Sequence, residues 1–421
     1  MQKILAVLAL VIFVSGCESF GKGVAQAIIE NNSAEDKKIC EISGDSFFGI
    51  EDYLSQGDIV KVMMIHGVGS HVPGYSSRIK ENLARSLNLT TWSKEDKNLT
   101  LVSPHDKKTN IGNLRVTRMQ SEDEKKTVIF YELNWSNITD EAKRVLDYDT
   151  SGTYTYKRAA FNNTMKTFLN DVLPDPMMYL VDDKTQILNA TKEATCWMLS
   201  RSWEDLEDND TSLCQVSSYN QIKDLSKENI IFITHSLGSR ILLDSVSGVA
   251  DEIATIKTLP PSNKENRHEA EQIIDLLKQK EITVFMLANQ LPLLQIGRPA
   301  PKVTNQIKNY CTAKGKKNQD RVFKETKIIA FSDPNDLLSY GITQDFVNNY
   351  IDSRICPSVT NIDINIADII SAFGVGVVNP VTAHTEYDND PRVIEIISKG
   401  IANIKEDPYL NKKCTFRYLK N

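Results

Sequence analysis

The sequence has no apolar run long enough to cross a membrane as a helix. Its longest, Ile4 to Val14, has 11 residues, where a spanning helix needs about 20. Charge of one sign is also scarce, with a net of -6 over 421 residues. The longest basic cluster, Lys314-Gly315-Lys316-Lys317, is short and set among polar residues. It fits a solvated loop, and the mild acidity gives no support for nucleic-acid binding. None of the 7 cysteines is spaced as a metal-ligand pair. Internal repeats and low-complexity tracts are lacking. Histidines number only 6, which narrows any search for a catalytic base. What remains is ordinary globular composition, 41% hydrophobic and 25% charged. The length suits two or three average domains, although α/β folds often exceed the average as one unit.

The stretch from Asn229 to Arg240 organises the rest. Ile230-Ile231-Phe232-Ile233 reads as a strand buried on both faces. Thr234-His235-Ser236-Leu237-Gly238 follows at once, and then Ile241, Leu242, Leu243 and Val246 recur at helical spacing. Ser236 therefore sits where a strand turns sharply into a helix. Such a turn exposes a hydroxyl at the sheet edge, close to backbone N–H groups. The helix N-terminus also favours developing negative charge. Those are the needs of a nucleophilic serine. The pentapeptide fits G-x-S-x-G except that Thr234 replaces the first glycine. The bland alternative is a serine capping an ordinary βα turn.

Elsewhere, strands and helices alternate. Ile59 to Ile65 reads as a buried strand ending in the turn His66-Gly67-Val68-Gly69, followed by a helical face of Ile79, Leu83 and Leu87. Short strands are expected around Leu99 to Leu101, Leu114 to Val116 and Thr127 to Leu133, the first two as a hairpin. From Tyr154 to Ser202 the period is helical, with Phe161, Met165, Phe168, Leu169 and Val172 on one face. Ile187, Ala190, Thr191, Ala194, Trp197 and Met198 form another, and Pro174-Asp175-Pro176 separates the two. This segment is longer than a plain crossover needs. It reads either as core-packing helices or as a cap carrying Met177, Met178 and Tyr179 as apolar substrate contacts. Three more strands are expected at Ile282 to Ala288, Thr326 to Phe331 and Asn361 to Ile366. Helical faces fall at Ile273 to Leu277 and from Val393 to Ile404. The fold class that follows is α/β, a mainly parallel sheet with helices on both faces and a helical insertion before the nucleophile strand.

The first residues read as an export signal: Lys3, an apolar run, then Ser15-Gly16-Cys17. Val14-Ser15-Gly16-Cys17 resembles the lipobox of bacterial lipoproteins. That resemblance implies acylation of Cys17, a mature chain anchored by lipid, and location in the bacterial cell envelope. Glu18 after the cysteine resembles the sorting pattern for the outer membrane, facing the periplasm. The expected organisation is residues 1–17 signal and lipobox, 18–45 tether, and 46–421 catalytic domain, with cap helices at about 154–215. Without Cys17, six cysteines remain, an even number that suggests disulfides in an exported protein. At least two are expected. Cys196–Cys214, which closes a short loop over the acidic segment Glu204 to Asp210, is the leading pair.

A serine hydroxyl needs a base, usually a histidine held by a carboxylate. His235 adjoins the serine with its side chain expected to face away from the reacting centre. His268 lies on the polar side of a helix and His105 in a charged turn, while His66 organises the glycine turn. His384 remains, in a loop that follows the last strand and can reach the elbow. The acid comes from Phe331-Ser332-Asp333-Pro334-Asn335-Asp336. Asp333 precedes a proline and is biased to extended backbone, suited to capping the turn. Asp336, past that turn, is assigned to His384, with Nδ1 towards the carboxylate and Nε2 towards Ser236.

From Ile59 to Ile404 these residues resemble the α/β-hydrolase superfamily, of the lipase and esterase type. The resemblance rests on the elbow, on the order Ser236, Asp336, His384, and on the early glycine turn. It implies oxyanion donors at the N–H of Leu237 and of Val68, with Gly67 possible, and acyl transfer to water without a cofactor or metal. The expected substrate is a small-molecule or lipid carboxylic ester, and the expected partner the membrane through the anchor. Acyl transfer to another alcohol is a variant. A second reading is a catalytically inactive α/β-hydrolase-fold lipoprotein acting as a binding or scaffold protein. A metallohydrolase using His66 and His71 is disfavoured by their spacing.

Overall fold

The computed structural model describes residues 40–420, apart from 58, 150–151, 181–183, 217, 259–263, 373–374 and 404–406. The export signal, Cys17 and residues 18–39 of the expected tether lie outside the described residues. The strands are β1 (Cys40–Asp45), β2 (Ile59–Ile65), β3 (Thr90–Thr91), β4 (Lys97–Val102), β5 (Asn110–Gln120), β6 (Thr127–Asn134) and β7 (Glu228–His235). They continue with β8 (Glu281–Leu287), β9 (Glu325–Ser332), β10 (Pro357–Ile364), β11 (Ile370–Ala372), β12 (Val375–Val377) and β13 (Thr415–Lys420). Eleven strands form one sheet in the order β13-β1-β10-β9-β8-β7-β2-β6-β5-β3, with β4 on β5. From β10 through to β6 every neighbouring pair is parallel. Towards the flanks β5 on β6, β3 and β4 on β5, and β1 on β10 are antiparallel, while β13 lies parallel to β1 at the edge. The molecule is therefore α/β with a mixed, mostly parallel sheet.

The middle of the sheet follows from its residues. β7 and β2 carry the apolar runs Ile230 to Ile233 and Val62 to Ile65, and nearly every residue in the two strands is buried. Alternation divides them between two layers. Ile230 and Phe232 belong to one hydrophobic core, and Ile231 and Ile233 to the other. Burying each such side chain contributes roughly 1.5–3 kcal/mol. The helices that bear on the site are α1 (Ser77–Ser86), α2 (Ala160–Val172), α3 (Pro174–Tyr179), α4 (Lys184–Ser200), α5 (Leu237–Thr258), α6 (Lys264–Leu277), α7 (Pro380–Thr385) and α8 (Pro391–Lys399). Leu237, Ile241 and Leu242 of α5 join the first core with Ile187, Ala190 and Ala194 of α4. Ile79 and Leu83 of α1 join the second with Val393 and Ile397 of α8.

The long helical segment before β7 divides in function. Ile187, Ala190, Ala194, Trp197 and Met198 of α4 are buried in the core. In α2 and α3 the apolar residues Phe168, Leu169, Leu173 and Met177 are exposed, whereas Tyr179 is buried. The core-packing reading therefore describes α4, and none of the described side chains of α2 belongs to the core. The edges also depart from expectation. Residues 40–45, assigned to the tether, form β1 of the main sheet. β10 begins at Pro357 rather than near Asn361, because its burial alternates and gives no continuous apolar run.

Three disulfides are formed: Cys40–Cys414, Cys196–Cys214 and Cys311–Cys356. The pair Cys196–Cys214 matches the expected loop closure. Cys40–Cys414 joins β1 to the residue before β13 across a sequence separation of 374. A cross-link that long removes much freedom from the unfolded chain. Cys40→Ser should therefore lower unfolding free energy by roughly 2–4 kcal/mol, read from urea denaturation without reductant. An unchanged midpoint would show that the edge strands are held by their pairing alone.

Candidate active site

The sharp turn expected at Ser236 is present. Its φ is +55°, left-handed backbone that a serine adopts only when its surroundings over-determine it. Here Ser236 N–H donates to the Leu287 carbonyl of β8 at 3.0 Å, and Ser239 N–H to the Ser236 carbonyl at 3.1 Å. Two glycines make room. A Cβ on Gly67 would lie 2.6 Å from Ser236 Cβ, and one on Gly238 would lie 2.5 Å from the Ile65 carbonyl oxygen. Both places exclude any side chain. Thr234 is accommodated where the motif has glycine, because its Oγ1 lies 2.9 Å from Ser239 Oγ, which satisfies a fully buried hydroxyl.

His384 is carried by α7. Its Nδ1 lies 2.8 Å from Asp336 Oδ2 and 3.0 Å from Oδ1. Asp336 also accepts the N–H of Leu338 at 3.0 Å, which fixes the carboxylate on its own turn. With Nδ1 donating to Asp336, Nε2 is left as an acceptor. Ser236 Oγ and His384 Nε2 are both buried, and neither has a hydrogen-bond partner among the described residues. Catalytic hydrogen bonds are often long before substrate binds. Asp333 does different work. Its carboxylate accepts the N–H groups of Asn335 at 2.7 Å and Ile366 at 2.7 Å, tying the end of β9 to the segment after β10.

His66 organises the glycine turn as expected, together with groups the sequence did not single out. His66 stacks on Trp135 at 4.6 Å between ring centres. Its Nε2 accepts Trp135 N–H at 3.1 Å, so Nδ1 carries the proton and donates to the Gly67 carbonyl at 2.8 Å. Burial holds this imidazole well below its ordinary pKa, so it stays neutral. With both nitrogens engaged, His66 is not a metal ligand. No cluster of metal-ligating side chains occurs among the described residues. A trans peptide points its C=O and the next N–H in opposite directions, so the bond to His66 turns Val68 N–H away from the ring. The following donors are taken: Gly69 N–H donates to Asp175 Oδ2 at 2.6 Å and Ser70 N–H to Asp171 at 3.1 Å. Lys143 lies 3.0 Å from Asp175 and 3.3 Å from Asp171, balancing both carboxylates. Thus α2 and α3 clasp the turn through Asp171 and Asp175, and the Val68 N–H remains. Leu237 is the first residue of α5, where an N–H has no intrahelical acceptor. Nothing in the spacing of Asp171, Asp175 or Lys143 marks them, since their partners lie on a distant turn.

His235 departs from expectation. Its Nε2 lies 2.8 Å from the His384 carbonyl oxygen, and the two rings meet edge-on with centres 5.1 Å apart. It faces the base rather than away from the centre. The reason is strand parity. His235 follows Ile231 and Ile233 on the face that carries the second core, and the carboxy-terminal segment with His384 packs on that face. Ser236 and the segment bearing His384 are thus joined through His235.

Comparison with family models, with curated proteins and with solved structures finds no match for this chain. The site's geometry therefore carries the argument on its own.

Burial, with the neighbouring His384 ring, pushes His235 down to about 3. In the unfolded chain His235 takes up a proton below about pH 6.5, but in the folded chain only near pH 3. Stability is therefore complete above pH 6.5 and falls as the pH drops from there towards 3, by at most about 1.4 kcal/mol per pH unit from this group. His235→Gln should flatten the fall in urea midpoint over that interval relative to the native chain. Parallel curves would mean that His235 is protonated in the fold.

Proposed function

We propose that this protein is a serine hydrolase of the α/β-hydrolase type, cleaving a carboxylic ester through an acyl-enzyme on Ser236. The observation that carries the reading is the pair of buried, unpartnered atoms, Ser236 Oγ on its left-handed turn and His384 Nε2 on an imidazole held by Asp336. The central parallel strands and the order Ser236, Asp336, His384 support the finer fold assignment.

In this mechanism His384 Nε2 takes the proton as Ser236 Oγ attacks the ester carbonyl. Asp336 keeps the imidazole in the right tautomer and stabilises the imidazolium. The oxyanion meets the N–H groups of Leu237 and Val68, and such donors contribute about 3–4 kcal/mol each. His384 then protonates the departing alcohol, and water, activated by the same Nε2, releases the acid. Transfer to another alcohol uses the same groups. Ser236 has no exposed surface, so substrate reaches it only when a neighbouring loop moves. That burial is also the one observation favouring an inactive binding protein.

A fluorophosphonate probe separates the two readings. It should label the native chain, and Ser236→Ala should abolish labelling and reduce ester hydrolysis on the order of 10⁴-fold while leaving the fold intact. Asp336→Asn should lose turnover by roughly 10²-fold or more with little change in thermal midpoint. Asp333→Asn should instead lower the midpoint, because its carboxylate holds backbone N–H groups. A native chain that stays unlabelled would overturn the hydrolase reading.

The lipobox resemblance supports attachment through an acylated Cys17, with the domain held at the bacterial envelope. Among the described residues no helix is long and apolar enough to cross a membrane. Cys17→Ser should release the protein into the soluble periplasmic fraction with its specific activity intact. Retention in membranes would mean that another segment holds it there.

A further inference from the structure

A cavity opens on the first-core face of the sheet, and Ser236 is not among its lining residues. It has a volume of about 260 Å³ and sits between the sheet and the helices α4, α5 and α6. Its apolar walls include Leu225, Ile230, Phe232, Leu242, Leu277 and Phe323. Ile230 is near the amino end of β7, while Ser236 follows the carboxyl end. At 3.3 Å per residue, six residues separate the two by about 20 Å. The cavity is not part of the candidate active site.

One polar atom in its wall is unexplained. Ser245 is 5% exposed and lines the cavity, and its Oγ has no hydrogen-bond partner among the described residues. Leaving a buried hydroxyl unpaired is unfavourable. A helical serine can bond back to the carbonyl four residues earlier, and this one does not. Beside it stands a cation. A Cβ placed on Gly248 would lie 3.5 Å from Lys192 Nζ, so the ammonium rests over Gly248. Positions three apart on a helix share a face about 5–6 Å apart, so Gly248 and Ser245 lie on one side of α5, and Lys192 and Ser245 both line the cavity. Lys192 also pairs with Glu252, and both side chains reach solvent at the rim, 32% and 59% exposed.

We propose that this cavity binds one medium-chain alkanoate, with its carboxylate bridging Ser245 Oγ and Lys192 Nζ and its chain against the apolar wall. Lys192 and Lys280 against Glu252 leave the lining with a positive balance, which suits an anion. At about 30 Å³ per water-sized group, the volume holds roughly eight or nine carbons. An apolar cavity of about 150 Å³ already takes up benzene. The Ser245 hydroxyl donates to one carboxylate oxygen, and the Lys192 ammonium is shared between the other and Glu252.

The inference does not rest on the hydrolase reading, because binding is measured on the full chain carrying Ser236→Ala. Titration calorimetry with hexanoate through dodecanoate should give one site. Affinity should tighten about fourfold per methylene and level off near nonanoate. Lys192→Gln should weaken nonanoate about tenfold and nonanol little, and Ser245→Ala should weaken nonanoate several-fold. Val246→Phe, which fills the cavity, should abolish binding. In the Ser236 chain these variants should leave fluorophosphonate labelling unchanged. Vesicles of phosphatidylglycerol should not compete, since two long chains exceed the space; competition would assign the site to membrane lipid and overturn the free-acid proposal. Absence of nonanoate binding, or full affinity in folded Val246→Phe, would also overturn it. If Val246→Phe fails to fold, Lys192→Gln decides from its exposed position, and unchanged nonanoate affinity there overturns the proposal.

Discussion

The left-handed backbone of Ser236 is the constraint on which the rest of the site depends. A non-glycine residue in that region costs roughly 1–2 kcal/mol. The turn persists because each flank is fixed before it begins. β7 is paired on both sides, with β2 and β8. α5 is committed to the first core from its first residue, Leu237. Between them only a tight corner joins strand to helix, and the bond from Ser236 N–H to Leu287 closes it. The corner raises the hydroxyl clear of the strand, and the cost is carried by the burial of the flanking apolar residues.

That corner needs clearance, and the clearance comes from the neighbouring strand. Gly67 faces Ser236, and Gly238 faces the Ile65 and His66 carbonyls. The turn after β2 therefore serves two purposes. It leaves space for the serine, and its N–H groups anchor the acidic side chains of α2 and α3. Its conformation is set from outside by the His66 ring on the Gly67 carbonyl and by Asp171 and Asp175 on the next two N–H groups. α2 and α3, which look dispensable as a crossover, are part of that scaffold. A second clasp holds α5. Although burial opposes ionisation of Asp244, the Arg240 guanidinium, with Arg298 and Lys184, keeps it below the usual carboxylate range. Tyr179 donates its hydroxyl to the same carboxylate at 2.8 Å, so α3 is tied both to the glycine turn and to the helix that follows Ser236.

The two layers of the sheet divide the labour. The first-core face receives α4 and α5, and with them the cavity lined by Ser245. The second-core face receives α1, α8 and the segment bearing His384. Ser236 stands at the corner where the chain passes from strand into the first layer, and His235 points into the second. The contact of His235 with the His384 carbonyl is the direct consequence, one residue either side of a strand's end serving opposite faces.

The sequence by itself determined the local elements. Runs rich in large apolar residues specify β2, β7, β8 and β9, because strands buried on both faces admit a polar residue only where it finds a partner, as Lys61 does in Glu228. A small residue pattern between β7 and α5 specifies the corner. The even spacing of apolar residues specifies the buried faces of α1 and α5, and loop closure alone suggested Cys196–Cys214. Tertiary structure decided the rest. Whether Asp336 or Asp333 meets His384 depends on where the turn after β9 leaves the sheet edge. The role of Asp175 depends on α3 reaching a turn 106 residues away, and the direction of His235 on which face receives the carboxy terminus. Cys40 joins the sheet because β10 offers it a partner in Ile364 and Cys414 returns to bond it. Short-range preference is written in neighbouring side chains, whereas these outcomes depend on contacts between distant residues, for which local spacing holds no signal.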